Sequence, residues 1–341
     1  MAAASSVLSP QEQSSFHGGL RPVNLRKDLG EIADLIELAF GATMDSGGRA
    51  AIREMRSLSR SGILLWALAH LDRGVRSMHK GFVWIDPPTQ RLVGNTSIYT
   101  AGYDNVLVVA NVAVHPEFRR RGIATQLVEA TQEMAQQEGT NAIILQVEAD
   151  NLAARQLYER LGFENLRTFT RWRRHPAINP PDRPADMPDV TLRSGREWKA
   201  EYNLAQTLRP NERGGLGWLR PTRPGAFRKT VWQHMRSVFS TRYRQRWVVR
   251  GNAHLAPLRA AMSIETVFGS RFGRVDLLVA PEEQGTLEKP VLNFAIRHLH
   301  DQRRGLIVEH PSDDEHATEV FYDYRFEPVR HLVHMQWQRS R

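Results

Sequence analysis

The 341 residues include no cysteine, which excludes disulfides, thiolate metal sites and a cysteine nucleophile. An oxidising compartment is therefore not implied. Long apolar runs are also missing. Ile63 to Ala69 is among the longest, far short of the roughly 18 residues that a membrane span requires. The first stretch, residues 1–18, is small and polar with no charged leader or continuous apolar core, so it reads as a flexible tail. These absences predict a soluble, cytoplasmic chain without a membrane partner. Metal-ligand spacing is lacking too, although there are 13 histidines. His298 and His300 are two apart on a predicted helix and cannot share its face. His331 and His334 are an odd number apart on a predicted strand and point to opposite sides. No metal is expected. Gly214-Gly215-Leu216-Gly217 has neither the preceding strand nor the Lys-Ser/Thr of a phosphate loop, and reads as a flexible loop.

Hydrophobic residues make up 41% of the chain, enough for real cores, and the length favours two domains. Leu20 to Lys27 predicts a strand. Asp28 to Phe40 predicts a helix, with Leu29, Ile32, Leu35, Ile36 and Ala39 at helical spacing and Asp28 and Glu31 as a capping box. Arg49 to Ser59 and Ile63 to Leu71 read as further helices. Gly81 to Ile85 and Leu92 to Tyr99 form a hairpin across the turn at Pro87 to Gln90. Strand Val106 to Val114, helix Gly122 to Gln137, strand Ala142 to Val147, helix Leu152 to Arg160 and strand Phe163 to Trp172 follow.

His175 to Pro188 contains five prolines, too many missing donors for regular structure, and reads as a linker. Beyond it the order of elements recurs. Strand Val190 to Arg193 leads to helices Arg196 to Leu208 and Ala226 to Phe239, then to strands at Gln245 to Val249, Ala256 to Val267 and Arg274 to Val279. Helix Leu287 to His300, strand Gly305 to Glu309, helix Asp314 to Tyr322 and strand Phe326 to Met335 complete the set. Val275 to Glu282 echoes Val109 to Glu117, and the Tyr322 to Glu327 segment echoes Tyr158 to Glu164, as expected of a duplicated unit.

The segment Val108 to Phe163 is the most informative. A strand of β-branched residues runs into Arg119-Arg120-Arg121-Gly122-Ile123-Ala124, where a helix starts. Unpaired amides and the positive end of a helix dipole suit a pyrophosphate there, and Gly122 leaves room for its approach. With its Arg119-x-x-Gly122-x-Ala124 turn, the preceding Val112-Ala113-Val114-His115-Pro116 and the later Asn151-x-x-Ala154-x-x-Leu157-Tyr158-x-x-Leu161-Gly162-Phe163, this segment resembles the GNAT superfamily of N-acetyltransferases. The resemblance is specific over Val106 to Arg174. It implies an α/β chain of two tandem GNAT-type domains, each a mixed central β-sheet flanked by helices. These would span residues 19–174 and 189–341, joined by the linker at 175–188.

The same resemblance implies acetyl-CoA as cosubstrate. Val112, Ala113 and Val114 would pair with the pantetheine arm, and Arg119 to Thr125 (Arg119, Arg120, Arg121, Gly122, Ile123, Ala124, Thr125) would hold the diphosphate. Asn151 and Tyr158 would line the arm. The acetyl group would pass directly to a primary amine on a small molecule or peptide, with a backbone N–H near Ala113 or Val114 stabilising the oxyanion. Tyr158 occupies the family's position for the acid that protonates the departing thiolate, a role a phenol of pKa about 10 can fill. No glutamate lies on the strand Val106 to Val114. Asp104, His115, Glu117, Glu148 or a water chain remains to act as base.

The second copy carries Glu282-Glu283-Gln284-Gly285-Thr286 in place of the arginines, which would repel a pyrophosphate. One working coenzyme site, in the first copy, is expected. Charge supplies the alternative reading. The chain has a net charge of +9, and between Arg209 and Arg250 eleven basic residues face one acid, Glu212. Trp218, Phe227, Trp232, Phe239, Tyr243 and Trp247 are interleaved with them. Such a stretch could bind nucleic acid, or a protein, beside a first domain that merely senses acyl-CoA without catalysis. Its simpler reading is a helix with aromatics in the core and arginines in water. Oligomeric state is not encoded in any of these features.

Overall fold

A computed structural model describes residues 19–42, 44, 46–60, 80–228, 241–251 and 257–339. The expected tail at 1–18, the helix at Ile63 to Leu71, most of the helix at Ala226 to Phe239, and the side chains of Trp232 and Phe239 lie outside these residues. The chain divides into two compact units. One is the chain through Leu145 with Ala153–Glu164 and the residues from Gln336 onward; the other is Gln146–Leu152 with Asn165–Met335.

The first unit opens with β1 (Leu20–Pro22), α1 (Leu25–Phe40) and α2 (Ser46–Arg60), then β2 (Lys80–Ile85), β3 (Leu92–Thr100) and β4 (Val106–Val114). After a 3-10 turn at Pro116–Phe118 come α3 (Ile123–Gln137), the first part of β5 (Ala142–Glu148) and nearly all of α4 (Leu152–Arg160). Helix α1 starts three residues before the sequence predicts. Asn24 takes the N-cap position, and Asp28 sits inside the first turn, where its carboxylate accepts the Asn24 N–H (2.7 Å) and a bidentate pair from Arg21 (2.7 and 2.8 Å). The expected box with Glu31 does not form; Glu31 accepts the Leu92 N–H instead, at 3.1 Å. Leu29, Ile32, Leu35 and Ile36 bury one face of α1 against Ile52 and Met55 of α2 and Val83, Leu92 and Ala113 of the sheet, as an apolar stripe at helical period must.

Strands β1 to β4 form an antiparallel run in that order, and β5 joins β4 in parallel. Helix α3 crosses the sheet over Gly94. A Cβ there would come within 2.8 Å of Ile123 Cγ2 and 2.9 Å of Trp84 Cβ, so the missing side chain lets the start of α3 sit close to the sheet.

The second unit contains most of β6 (Glu164–Arg174), then β7 (Val190–Leu192), α5 (Trp198–Leu208), the single turn α6 (Pro224–Phe227), β8 (Arg242–Arg250) and β9 (Leu258–Val267). It continues with β10 (Phe272–Val279), α7 (Glu288–His300), β11 (Gly305–Pro311), α8 (Glu315–Asp323) and β12 (Glu327–Gln338). No regular element occurs between Arg174 and Val190, consistent with the proline density. The strands run β12-β6-β11-β10-β9-β8-β7, and β6 pairs antiparallel with β11 from Phe169↔Pro311 to Arg174↔Leu306. Met262, Leu277, Val291, Leu292, Ile296, Leu299, Val308 and Phe321 fill the core under α7 and α8.

The duplication is visible in the connections. The series β4, 3-10 turn, α3, β5, α4 has its counterpart in β10, 3-10 turn (Pro281–Glu283), α7, β11, α8.

Candidate coenzyme and acetyl-transfer site

Strands β4 and β5 pair only over Val106↔Ala142, Leu107↔Ile143 and Val108↔Ile144. Past Val108 they separate, so the edge of β4 from Val109 to Val114 bonds to β3 alone. A free strand edge is a template for another extended chain. Register sets which groups face the gap. The His115 N–H donates to Val93 C=O at 2.8 Å, and Asn95 faces Ala113 while Gly94 faces Val114. Alternation in an antiparallel pair then turns the Ala113 amide toward β3 and the Val114 amide outward. Of the two oxyanion candidates, Val114 is the one that the register directs into the gap.

A bulge interrupts β4. The register slips between Asn95 and Ser97, and Asn111 adopts φ +53°. This conformation is uncommon outside glycine and most accessible to Asn. The Asn111 carbonyl accepts from Asn95 Nδ2 at 3.0 Å, and its own side-chain amide lies 3.4 Å from both Ser97 Oγ and Tyr99 Oη. Burial raises the Tyr99 pKa. Asn111, Ser97 and Tyr99 form a polar cluster beside the gap that sequence reasoning missed. The Asn111 side chain was the available signal, since Asn is depleted in strands and enriched at bulges and turns.

The turn after β4 is exposed at Arg119, Arg120, Arg121 and Gly122. Arg120 and Gly122 both take left-handed backbone, at φ +65° and +77°. A Cβ on Gly122 would meet nothing closer than Gln126 Nε2 at 3.9 Å, so open space lies over this backbone. Arg119 Nε reaches Val114 C=O at 3.3 Å, and Arg121 donates to Glu117 C=O at 3.1 Å while stacking 4.8 Å over the Phe118 ring. The first helical bond runs from the Gln126 N–H to Gly122 C=O at 3.1 Å. The amides of Ile123, Ala124 and Thr125 therefore precede the ladder, as the first donors of any helix do. Structure thus brings Val112 to Val114 and Arg119 to Thr125 together along one strand edge and the adjoining helix start.

Tyr158 lies on α4, is 7% exposed, and packs edge-on against Phe163 at 5.7 Å. Burial pushes its pKa up, which extends the pH range of the protonated phenol beyond that of an exposed tyrosine. Asn151 belongs to the Gln146–Leu152 segment of the second unit, where its N–H donates to Glu148 C=O at 3.0 Å. Among the candidate bases, Glu148 is paired with Arg330 at 2.7 Å, and Asp104 lies in the left-handed turn before β4. His115 is mostly buried, 3.9 Å from Glu117, and its Nδ1 finds no hydrogen-bond partner among the described residues.

The matching turn of the second copy keeps a left-handed glycine, Gly285 at φ +82°, but no arginine. Glu283 is engaged by Arg259 at 2.6 and 2.8 Å, and the buried Glu288 carboxylate occupies the first turn of α7. In the basic stretch, Arg213 binds Asp313 at 2.6 Å and Arg220 binds Asp276 at 2.8 and 2.9 Å. Arg244 binds Glu265, Arg246 binds Glu201, and Arg250 binds Glu197. Phe227 is buried, and Trp247 packs on Phe294 at 4.7 Å. Among the described residues no group of three or more metal-ligating side chains is present, and no helix is long and apolar enough to cross a membrane.

Parts of the chain are similar to known proteins. The sequence model of the acetyltransferase (GNAT) family matches residues 51–163. N-alpha-acetyltransferase 30 of Schizosaccharomyces pombe is 39% identical over 64 residues, 19% of this chain and 43% of its own length. The [ribosomal protein bS18]-alanine N-acetyltransferase of Salmonella typhimurium is 43% identical over 53 residues, 16% of this chain and 36% of its own. The chain thus spans less than half the length of these curated relatives. A GCN5-related N-acetyltransferase from Sphaerobacter thermophilus has a similar fold over 94% of this chain and 95% of its own, with a TM-score of 0.56 at 14% identity. A tandem GNAT protein from the clavulanic acid biosynthesis pathway covers 94% and 98%, with a TM-score of 0.51 at 17% identity. Residues 51–163 thus match the acetyltransferase (GNAT) family, and the chain as a whole has a fold similar to that of a tandem GNAT protein.

Proposed function

We propose that this chain transfers the acetyl group of acetyl-CoA directly to a primary amine, using one coenzyme site in the first copy. The separation of β4 from β5 after Val108 carries this reading. It leaves a strand edge for the amide groups of pantetheine, and that edge leads straight into the amides of Ile123, Ala124 and Thr125 and the guanidinium groups of Arg119 to Arg121. Val114 N–H would hold the oxyanion, and Tyr158 would return a proton to the leaving thiolate. Val112, Ala113 and the backbone at Gly122 complete the proposed coenzyme contacts. Asn111, Ser97 and Tyr99 lie where an attacking amine could be oriented or relieved of a proton through water.

In the second copy, the turn without arginines and the carboxylate of Glu288 at the helix start support the reading that it does not bind the coenzyme. The pairing of arginines with carboxylates across 213–250 leaves fewer cations for a polyanion, which favours the enzyme over a nucleic-acid-binding sensor. One relative is named an N-alpha-acetyltransferase and another an N-acetyltransferase of an alanine of ribosomal protein bS18, but alignments of 53 to 64 residues do not carry an acceptor site. The deciding experiment pairs calorimetry of acetyl-CoA with detection of CoA release across amino acids, polyamines, aminoglycosides and peptide N-termini. Binding with turnover of any amine supports the proposal. Absence of coenzyme binding by folded protein ends it, and salt-sensitive polynucleotide binding without turnover supports the sensor.

A further inference from the structure

A cavity of about 350 Å³ lies within the second unit. It is bounded by α5, α6, β8, β9 and β10, and is remote in sequence from every residue of the proposed coenzyme site. This volume is that of a small-ligand pocket. Phe227, Met262, Leu277 and Leu278 give it apolar walls. Its charged lining is unevenly neutralised. Arg220 is clamped by Asp276, Arg244 by Glu265 and Arg246 by Glu201. Arg209 has no such partner: no carboxylate of the described residues reaches its guanidinium as an ion pair, and it donates instead to His310 Nδ1, at 3.3 Å.

Arg209 is nonetheless only 6% exposed. His310 in turn donates to Asp314 at 2.7 Å, and burial first, then the neighbouring Arg209 charge, lowers the His310 pKa, so a neutral ring stands between the guanidinium and the nearest carboxylate. Arg209 also lines a second cavity of about 250 Å³, with Arg167, Asp313, Asp314 and Glu315, of which Asp313 is committed to Arg167 at 2.8 Å and Asp314 to His310. It therefore stands where two cavities of this unit meet. Keeping an unpaired guanidinium out of water is costly unless an anion joins it.

From the cavity and its unpaired cation we infer that the second copy is a receptor for a small amphipathic monocarboxylate, whose carboxylate pairs with Arg209 and whose apolar body lies against Phe227 and Met262. Charge decides for a monoanion. Glu201, Asp276 and Glu309 also line the cavity but are committed to Arg246, Arg220 and Arg274, so the single charge of Arg209 is matched by one carboxylate and exceeded by a dianionic phosphate. The planar fork of an arginine suits a carboxylate in two parallel bonds.

The test uses the full chain in calorimetry at neutral pH, with hexanoate and phenylacetate as probes and inorganic phosphate and hexylamine as comparisons. Two variants address the site independently. Arg209→Met removes the cation. Gly225→Trp narrows the cavity from its exposed rim, where a Cβ would meet nothing within 4 Å, so the wall can be filled without a clash at the backbone. Cooperative urea unfolding followed by tryptophan fluorescence, read in the same samples, reports whether each variant is folded, and acetyl-CoA affinity reports whether the first copy is undisturbed. Saturable binding of at least one carboxylate, weakened tenfold or more by both variants with coenzyme affinity unchanged, supports the receptor. Lack of saturable carboxylate binding, equal or tighter binding of phosphate or hexylamine, or survival of carboxylate binding in either folded variant overturns it. Failure here leaves the acetyltransferase reading untouched, because that reading is measured by coenzyme binding and turnover.

Discussion

The side-chain amide of Asn95 donates to the backbone carbonyl of Asn111 at 3.0 Å, and this bond pins the bulge of β4 from the neighbouring strand. Asn95 is 1% exposed and also reaches Ser97 Oγ at 3.2 Å. Asn95→Ala leaves the partly buried Asn111 carbonyl without this donor, a loss of about 1 kcal/mol. Urea unfolding should show that loss. Acetyl-CoA affinity should fall about tenfold if relaxing the bulge costs a further 1.4 kcal/mol or so. An unchanged affinity in a destabilised variant would separate the bulge from the coenzyme.

Gly122 combines a left-handed backbone with open space above it. Gly122→Val should therefore lower stability by about 1–2 kcal/mol through backbone strain alone. Its effect on acetyl-CoA should be larger, at least tenfold in Kd by calorimetry, since the branched side chain occupies the approach to the amides of Ile123 to Thr125. Equal coenzyme affinity in the variant would remove the diphosphate from this turn.

Gly94 offers the opposite case, in which space rather than conformation is limiting. A methyl there meets Ile123 Cγ2 at 2.8 Å and Leu127 Cδ1 at 3.2 Å. Gly94→Ala should cost about 1–3 kcal/mol by overpacking. It should also weaken acetyl-CoA binding by displacing the start of α3. Both effects are measurable on one sample by denaturation and titration.

What could be read in the sequence follows from how local each feature is. The buried face of α1 was legible from Leu29, Ile32, Leu35 and Ile36, because helical period alone fixes it. The turn Arg119 to Gly122 and the following helix were legible for the same reason: the glycine, the β-branched strand and the apolar period are contiguous. The start of α1 was misplaced because Asp28 resembles a cap, whereas its carboxylate is committed to Arg21 and the Asn24 amide. The bulge at Asn111 depends on the register with β3, and the surroundings of Arg209 depend on His310, 101 residues away. Neither relationship has a sequence period. The pairing of β6 with β11 is likewise invisible in the sequence of either strand.

His334 links stability to pH. Burial pulls its pKa to about 4; the ring stacks on Phe169 at 4.5 Å and bonds to Gln146 at 2.8 Å. The unfolded chain, with a His pKa near 6.5, binds the proton more readily, so stability rises with pH across this interval. The contribution is complete above about pH 6.5 and declines as the pH falls toward 4, by an amount on the order of 3 kcal/mol. Wild type and His334→Phe should be compared by urea unfolding at several pH values in this range. The variant should lose less stability on acidification; parallel curves would show that His334 is not the group responsible.

Tyr158 tests the chemistry itself. Its ring packs on Phe163, so Tyr158→Phe preserves the buried surface and should change stability by less than about 1 kcal/mol. If the hydroxyl protonates the leaving thiolate, kcat should fall by about 10² to 10⁴ while acetyl-CoA affinity stays the same. The raised pKa sets a second expectation. A phenol that stays protonated beyond its ordinary value of about 10 should impose no alkaline limb on kcat below that pH in the wild-type enzyme, whereas an unburied tyrosine would begin to lose its proton there. A variant with full turnover, in a protein that still binds the coenzyme, would reduce Tyr158 to a packing residue and leave the thiolate to take its proton from solvent.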